Sequence, residues 1–276
     1  MTDYSIQSDL QLARQLADMA DSISSDRFRA NDLLVSMKPD MTHVTDADRA
    51  VEAAIRGALA DSRPDDLILG EEFGSDDRDV LDALNETGTP RRQWIIDPID
   101  GTANYVRGIP VWATLISLAV DDVPVVGVVS APALGQRWWG ARGQGAWTSE
   151  RASENGHRER RIFVSGVGEL SDASLSYNSL KGWDDAGKLD RLIELSREVW
   201  RTRAYGDMWS YMMVAEGLID IAGEFDLKAW DMAALIPIIE EAGGAFTSVS
   251  GIPGPWNGSA LATNGLLHEA AIRALD

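Results

Sequence analysis

Trp94-Ile95-Ile96-Asp97-Pro98-Ile99-Asp100-Gly101-Thr102 is the stretch on which the reading of this chain turns. Trp94 to Ile96 is aromatic and β-branched, the composition of a buried strand. Pro98 removes a backbone donor and should stop the strand. Two carboxylates three positions apart bracket it, and Gly101-Thr102 reads as a turn opening a helix. Two hard oxygen donors thus sit at a strand tip beside first-turn amides. Carboxylates suit Mg²⁺, and helix-start amides suit a phosphate. Together they point to metal-assisted attack on a phosphate ester. A solvated Asp-Gly turn is the competing account of this stretch taken by itself.

Two further segments shift the balance. Leu67-Ile68-Leu69-Gly70-Glu71-Glu72 is a second apolar run ending in acids, and Ala229-Trp230-Asp231-Met232-Ala233-Ala234 places a third acid at the start of a helical pattern. Acids at the ends of apolar runs are costly unless something pairs with them, and a shared cation would pair all of them.

Composition narrows the class. The chain has 276 residues and no cysteine, which excludes disulfides and Cys-based zinc sites. His43, His157 and His268 match no zinc spacing. A net charge of −19 argues against a nucleic-acid footprint, and local metal cations can reverse that field at a site. Much of the acidity lies in 61–86 and reads as solvated surface. No apolar run reaches the roughly 18 residues of a membrane span. The first nine residues are polar, without a signal-peptide core. A cytoplasmic protein is the expectation.

Helical patterns begin at a Ser8/Gln11 capping box, then cover 45–59, 188–200, 207–217, 231–242 and 266–275. Pro237 should kink the 231–242 helix. Strands are expected at 67–70, 94–97, 113–120, 124–130, 137–141, 162–164, 219–223, 245–249 and 260–263. The polar segment 149–161 reads as an exposed connection between halves. Trp138-Trp139 would put neighbouring rings on opposite strand faces, with at least one against a partner subunit or another layer. Trp209 and Tyr211 are core candidates that could also line a substrate site.

At this point a resemblance can be stated. Gly70-Glu71-Glu72, then Asp97-Pro98-Ile99-Asp100-Gly101-Thr102-Ala103-Asn104, then Trp230-Asp231 with Glu240-Glu241-Ala242-Gly243-Gly244, resemble the inositol monophosphatase family over roughly residues 8–275. Lys38-Pro39-Asp40, 44–50, 106–112, Arg137-Trp138-Trp139, 204–207 and 214–217 look like its histidinol-phosphate phosphatase branch. The resemblance implies an α+β fold layered α-β-α-β-α, folded as one catalytic unit. Residues 1–148 would form a metal-binding half, and 162–276 would complete the site. It implies Mg²⁺ dependence with two or three ions, Mn²⁺ as a substitute, lithium sensitivity and a homodimer.

By the same resemblance, Glu71 and Asp97 hold one metal with the carbonyl of Ile99, while Asp97, Asp100 and Asp231 hold a second. Glu71 also counts among the catalytic groups. Thr102, paired with Asp46, orients the attacking water, although Thr102 could equally be a helix cap and Asp46 a first-turn acid. The amides of Gly101 and Thr102 bind phosphate. Lys38 either offsets phosphate charge or is a surface lysine, and Glu72, the less favoured ligand of the Glu pair, is otherwise a solvated acid or a salt-bridge partner. Glu224 matches the position that contacts the organic part of the substrate, with Asp207 as a second candidate. The leading reading is hydrolysis of a small phosphate ester, L-histidinol phosphate. Inositol monophosphate or another small ester is the alternative, and an inactive binding or regulatory module on the same fold is a third.

Overall fold

A computed structural model describes residues 4–39, 41–75, 90–152 and 156–276. Its outermost layer is two helices, α1 (Ile6–Arg27) and α2 (Asp46–Ser62). Helix α1 starts earlier than the Ser8/Gln11 box predicts. Ser5 is the cap, and its hydroxyl accepts the amide of Ser8 at 3.2 Å. Helix α2 carries a reciprocal box instead, between Thr45 and Asp48. Leu16, Ala20, Val51, Ile55 and Leu59 form their shared apolar face.

That face packs on an eight-stranded sheet ordered β10-β9-β8-β7-β6-β5-β3-β4. A separate hairpin, β1 (Val35–Met37) with β2 (His43–Thr45), precedes it. The sheet strands are β3 (Leu67–Gly70), β4 (Gly74–Ser75), β5 (Arg92–Asp100), β6 (Ala113–Val120), β7 (Val123–Ala131), β8 (Gln136–Ala141), β9 (Gly145–Ala152) and β10 (Gly156–Arg161). Within this sheet, only the β3–β5 pairing is parallel among those described. Pro98 does not end β5. The ladder slips between Asp97 and Asp100, so the proline sits in a bulge that needs no donor.

Two expectations are corrected here. Apart from 153–155, which lie outside the described residues, 149–161 is not a connection. It is the β9–β10 hairpin, whose charged residues suit an edge strand. No strand forms at 162–164, where Val164 instead donates its amide to the Ala242 carbonyl at 3.1 Å. Trp138 and Trp139 do face opposite ways, and both are buried. Trp139 joins the α1 side and Trp138 the middle layer, so neither ring is left for a partner.

The short helix α3 (Thr102–Val106) follows β5 directly. Beyond it lies a second, five-stranded sheet ordered β12-β11-β13-β15-β14. Its strands are β11 (Ser174–Ser176), β12 (Arg201–Arg203), β13 (Ile221–Phe225), β14 (Ala245–Thr247) and β15 (Ser259–Thr263). Helices α4 (Leu180–Asp185), α5 (Leu189–Glu198) and α9 (His268–Leu275) cover its outer face. Between the sheets lie α6 (Asp207–Ala215), α7 (Ala229–Met232) and α8 (Leu235–Glu241). The architecture is therefore the expected α-β-α-β-α stack.

Pro237 kinks the expected 231–242 helix: α7 and α8 are joined by Ala233 and Ala234, which keep right-handed helical dihedrals. A proline at 237 has no N–H for the carbonyl of Ala233. The hydroxyl of Ser117 on β6 donates to that carbonyl at 3.1 Å instead. The elbow lies directly on the first sheet. A Cβ at Gly127 would fall 2.0 Å from the Ala234 carbonyl oxygen, and one at Gly140 would fall 2.9 Å from the Ile238 Cα. Only glycine on β7 and β8 permits this approach.

Candidate active site

The end of β5 and the start of α7 meet at a cluster of acids. Asp97, Asp100 and Asp231 offer oxygens that all lie within 4.8 Å of one another. Asp97 is 2% exposed, and its Oδ1 accepts the amide of Ile99 at 3.0 Å across the bulge. Thr114 holds the bulge open by donating to the Pro98 carbonyl at 2.8 Å. Asp100 accepts the amide of Met208, at the head of α6, at 2.8 Å. Asp231 is the third residue of α7 and accepts the amide of Lys228 at 2.7 Å. Elements from both halves of the chain thus aim carboxylates at one point.

Electrostatics at that point are unfavourable for protein alone. Burial, then the charges of Glu71, Asp100 and Asp231, push the Asp97 carboxyl well above its ordinary range. Burial, then Asp207 and Asp231, do the same to Asp100. Burial raises Asp231 to about 7. An oxygen-only donor set this crowded fits a hard divalent cation, which would let the acids ionise together.

Glu71 follows β3, and its amide donates to the Ile96 carbonyl at 3.2 Å, beside Asp97. Its carboxylate is 2.7 Å from the Lys38 ammonium, which also lies 2.6 Å from Glu72. Lys38 is therefore not a free surface lysine. The two glutamates hold its pKa above the ordinary lysine value despite burial, which opposes the rise. Glu72 is a salt-bridge acid whose side chain is 4% exposed.

The pairing of Thr102 with Asp46 needs correction. The Thr102 hydroxyl lies 3.3 Å from Asp48 Oδ1 and 3.0 Å from the Ile99 carbonyl. Asp46 instead pairs with Arg27 at 2.7 Å and accepts the Leu34 amide at 3.3 Å. The reason is helix phase. Positions 46 and 48 differ by about 200° around α2, and Asp48 shares the buried face with Val51, Ile55 and Leu59. Asp48 is itself fixed by the amide and hydroxyl of Thr45, at 2.8 and 2.5 Å. The carbonyl of Ile99, with two lone pairs, keeps acceptor capacity beyond its bond to Thr102. Gly101 caps α3 in the left-handed region at φ 83°, and the Thr102 amide is among the first-turn donors a helix leaves without an internal partner.

Asp207 and Glu224 stand close enough to charge the acid cluster. Asp207 is not an N-cap. Gly206 holds that position, and Asp207 follows it at φ 46°, a conformation that L-residues rarely adopt. Its Oδ2 accepts the side-chain amide of Asn104 at 2.7 Å, and burial raises it to about 6. Glu224, on β13, accepts Asn178 Nδ2 at 2.7 Å and faces the Tyr211 hydroxyl at 3.5 Å. Burial raises Glu224 to about 7. Tyr211 is buried.

Asn104 and Asn178 were not singled out from the sequence. Asn178 gathers Ser176, Ser210 and the Gly206 amide on its oxygen while its nitrogen serves Glu224. Ser176 is two residues away, but Gly206, Ser210 and Glu224 lie 28, 32 and 46 residues along the chain, so the local sequence does not signal the arrangement. His268 bonds Thr247 and Thr263 and stands apart from the acids. A groove of about 970 Å³ between α1 and β8–β9, with Arg14, Arg137 and Asp21 among its lining residues, contains none of the acid cluster.

Known proteins align with this arrangement end to end. A histidinol-phosphatase from Streptomyces coelicolor is 53% identical over 280 residues, covering 100% of this chain and 99% of its own. A histidinol-phosphatase from Mycobacterium tuberculosis is 54% identical over 268 residues, covering 97% and 98%. Among solved structures, the extragenic suppressor protein suhB from Bartonella henselae superposes with a TM-score of 0.81 at 28% identity, covering 98% of each chain. An inositol monophosphatase from Anabaena gives 0.78 at 28% identity, covering 98% of this chain and 95% of its own. The sequence profile of the inositol monophosphatase family matches residues 5–276, and this chain belongs to that family.

Proposed function

We propose that this chain is a Mg²⁺-dependent phosphatase that hydrolyses L-histidinol phosphate to L-histidinol in histidine biosynthesis. The observation that carries the chemistry is the set of three mutually crowded carboxylates, Asp97, Asp100 and Asp231. The substrate assignment is supported by the names of the full-length relatives at 53% and 54% identity.

In this reading, Glu71, Asp97 and the Ile99 carbonyl hold one divalent ion, and Asp97, Asp100 and Asp231 hold a second. Divalent ions held there would offset phosphoryl charge and ease ionisation of the attacking water. The Thr102 hydroxyl, braced by Asp48 and the Ile99 carbonyl, orients the attacking water. The amides of Gly101 and Thr102 bind the phosphate. Lys38 keeps the Glu71–Glu72 pair from repelling itself. Glu224 and Asp207 read the amine and imidazole of the substrate. Mn²⁺ substitutes for Mg²⁺, lithium competes at the second position, and the protein works as a cytoplasmic homodimer. No helix among the described residues is long and apolar enough to cross a membrane.

The test is phosphate release from histidinol phosphate, inositol monophosphate, fructose bisphosphate and adenosine 3′,5′-bisphosphate. Fastest turnover on histidinol phosphate is the expected result. Preference for another member would overturn the substrate, and silence on all four with Mg²⁺ present would favour the inactive module.

A further inference from the structure

Glu52 is a buried acid for which the chemistry above has no use. It sits on α2 with its side chain 0% exposed, one turn beyond Asp48. Its Oε2 accepts the amide of Glu72 at 2.7 Å, and its Oε1 accepts the amide of Phe73 at 3.3 Å. Arg56, one turn further along the helix, donates its Nε to Oε1 at 2.8 Å. Two successive amides and a guanidinium therefore converge on one carboxylate, a charge-assisted arrangement stronger than neutral bonds.

The space for this carboxylate exists because residue 70 is glycine. A Cβ there would lie 1.9 Å from Glu52 Oε1. Gly70 is not in the left-handed region, so conformational freedom does not explain it. The close approach of Glu52 does. On the other side of the turn, the Glu71 amide is fixed by the Ile96 carbonyl on β5. The backbone of 71–73 is thus pinned between α2 and the sheet, and the Glu71 side chain emerges from a rigid base.

We infer that Glu52 is a positioning residue: it clamps the 71–73 turn through two backbone amides so that Glu71 is held ready to bind a divalent ion. This rests on the proposed role of Glu71. Groups that orient a metal ligand typically change metal affinity by roughly 10–100-fold when lost. Glutamine at 52 keeps the volume of the side chain. It loses the charge, and turning its NH₂ toward either amide would set donor against donor.

The test is a calorimetric titration of the chelator-stripped full-length protein with Mn²⁺ alone, no substrate present. Glu52→Gln should weaken the Mn²⁺ affinity by about 10–100-fold. Glu52→Asp keeps the charge but withdraws it by one methylene, and should fall between the two. Excess metal should restore kcat in both variants. Leu195→Ala, in the distant outer layer, serves as a control that lowers thermal stability without touching the turn. Its Mn²⁺ affinity should match the parent protein.

Parent-like Mn²⁺ affinity in both Glu52 variants would overturn the inference, as would an equal loss in Leu195→Ala. Glu71→Gln is titrated alongside. If it binds Mn²⁺ as the parent does, the assigned role of Glu71 fails and the inference fails with it. If Glu71→Gln weakens binding and the Glu52 variants do not, only the clamp is wrong.

Discussion

Two groups of acids share this site, and they are satisfied in opposite ways. Asp97, Asp100 and Asp231 have one another for neighbours; each accepts a backbone amide, and Asp231 also shares a hydrogen bond with Asp97 and feels the Lys228 charge. Asp207 and Glu224 each lean on a neutral side-chain amide, from Asn104 and Asn178. The first group is short of positive charge, which a divalent ion would supply. The second is already held in place and needs only a modest donor, such as the amine of a small substrate. One group is built for charge and the other for orientation. On the proposed function, that division would separate catalysis from choice of substrate within one site.

Four expected outcomes would break or sharpen that division. The largest concerns the first group. Asp97→Asn should reduce turnover below detection, and exhaustive chelation should do the same to the parent protein. Full activity after chelation would end the metal assignment.

Next is Thr102→Ala, expected to lower kcat on the order of 10²–10⁴-fold with little change in KM. Asp48→Asn should follow it, while Asp46→Asn, which removes only the Arg27 pairing, should leave kcat near the parent value. Steady-state kinetics on the three variants decides between the two aspartates. A large loss at Asp46 alone would restore the pairing read from sequence.

The second group gives a smaller, substrate-dependent effect. Glu224→Gln should raise KM for histidinol phosphate by an amount worth roughly 2–5 kcal/mol, by analogy with truncated buried charge pairs. Glycerol phosphate, with no amine, should be affected far less. Equal losses on both esters would remove Glu224 as a reader and leave Asp207.

The smallest effect is on stability. Burial raises Glu224 from 4.5 to about 7, with Asp207 and Asp231 adding repulsion and Asn178 and Tyr211 opposing it. The folded state therefore binds this proton more tightly than the unfolded state. That contribution is fully present below pH 4.5 and is lost as pH rises to about 7. In metal-free protein, the Tm of Glu224→Gln should fall less steeply over that window than the Tm of the parent. Parallel Tm curves would show that Glu224 does not titrate there.

Much of this was legible from sequence because strand-end acids declare themselves. Asp97, Asp100, Glu71 and Asp231 end or start strongly patterned elements, and the five-layer fold followed from the family resemblance. What failed did so for separate physical reasons. Matching the family's aspartate to Asp46 takes no account of helix phase: Val51, Ile55 and Leu59 mark the buried face, on which Asp48 lies. The β9–β10 hairpin was read as a connection because an edge strand faces water and looks like a loop in composition. Apart from Arg56 and Ser176, the partners of Glu52 and Asn178 lie 20 to 46 residues away, and local pattern carries no trace of those contacts. Pro237 kinks its helix as its position predicts, but the partner of the freed carbonyl, Ser117, lies far along the chain, where sequence could not bring it near.

Gly127 and Gly140 carry a consequence for heredity as much as for geometry. Asp231 belongs to the last quarter of the chain, yet its distance from Asp97 is gauged by two absent methyl groups on β7 and β8. A side chain at either position would wedge the elbow away from the sheet, because the atoms it would meet are main chain and cannot rotate aside. These glycines touch no acid and bear no chemistry. A single-nucleotide change there could still open the caliper that brings the two halves of the site together.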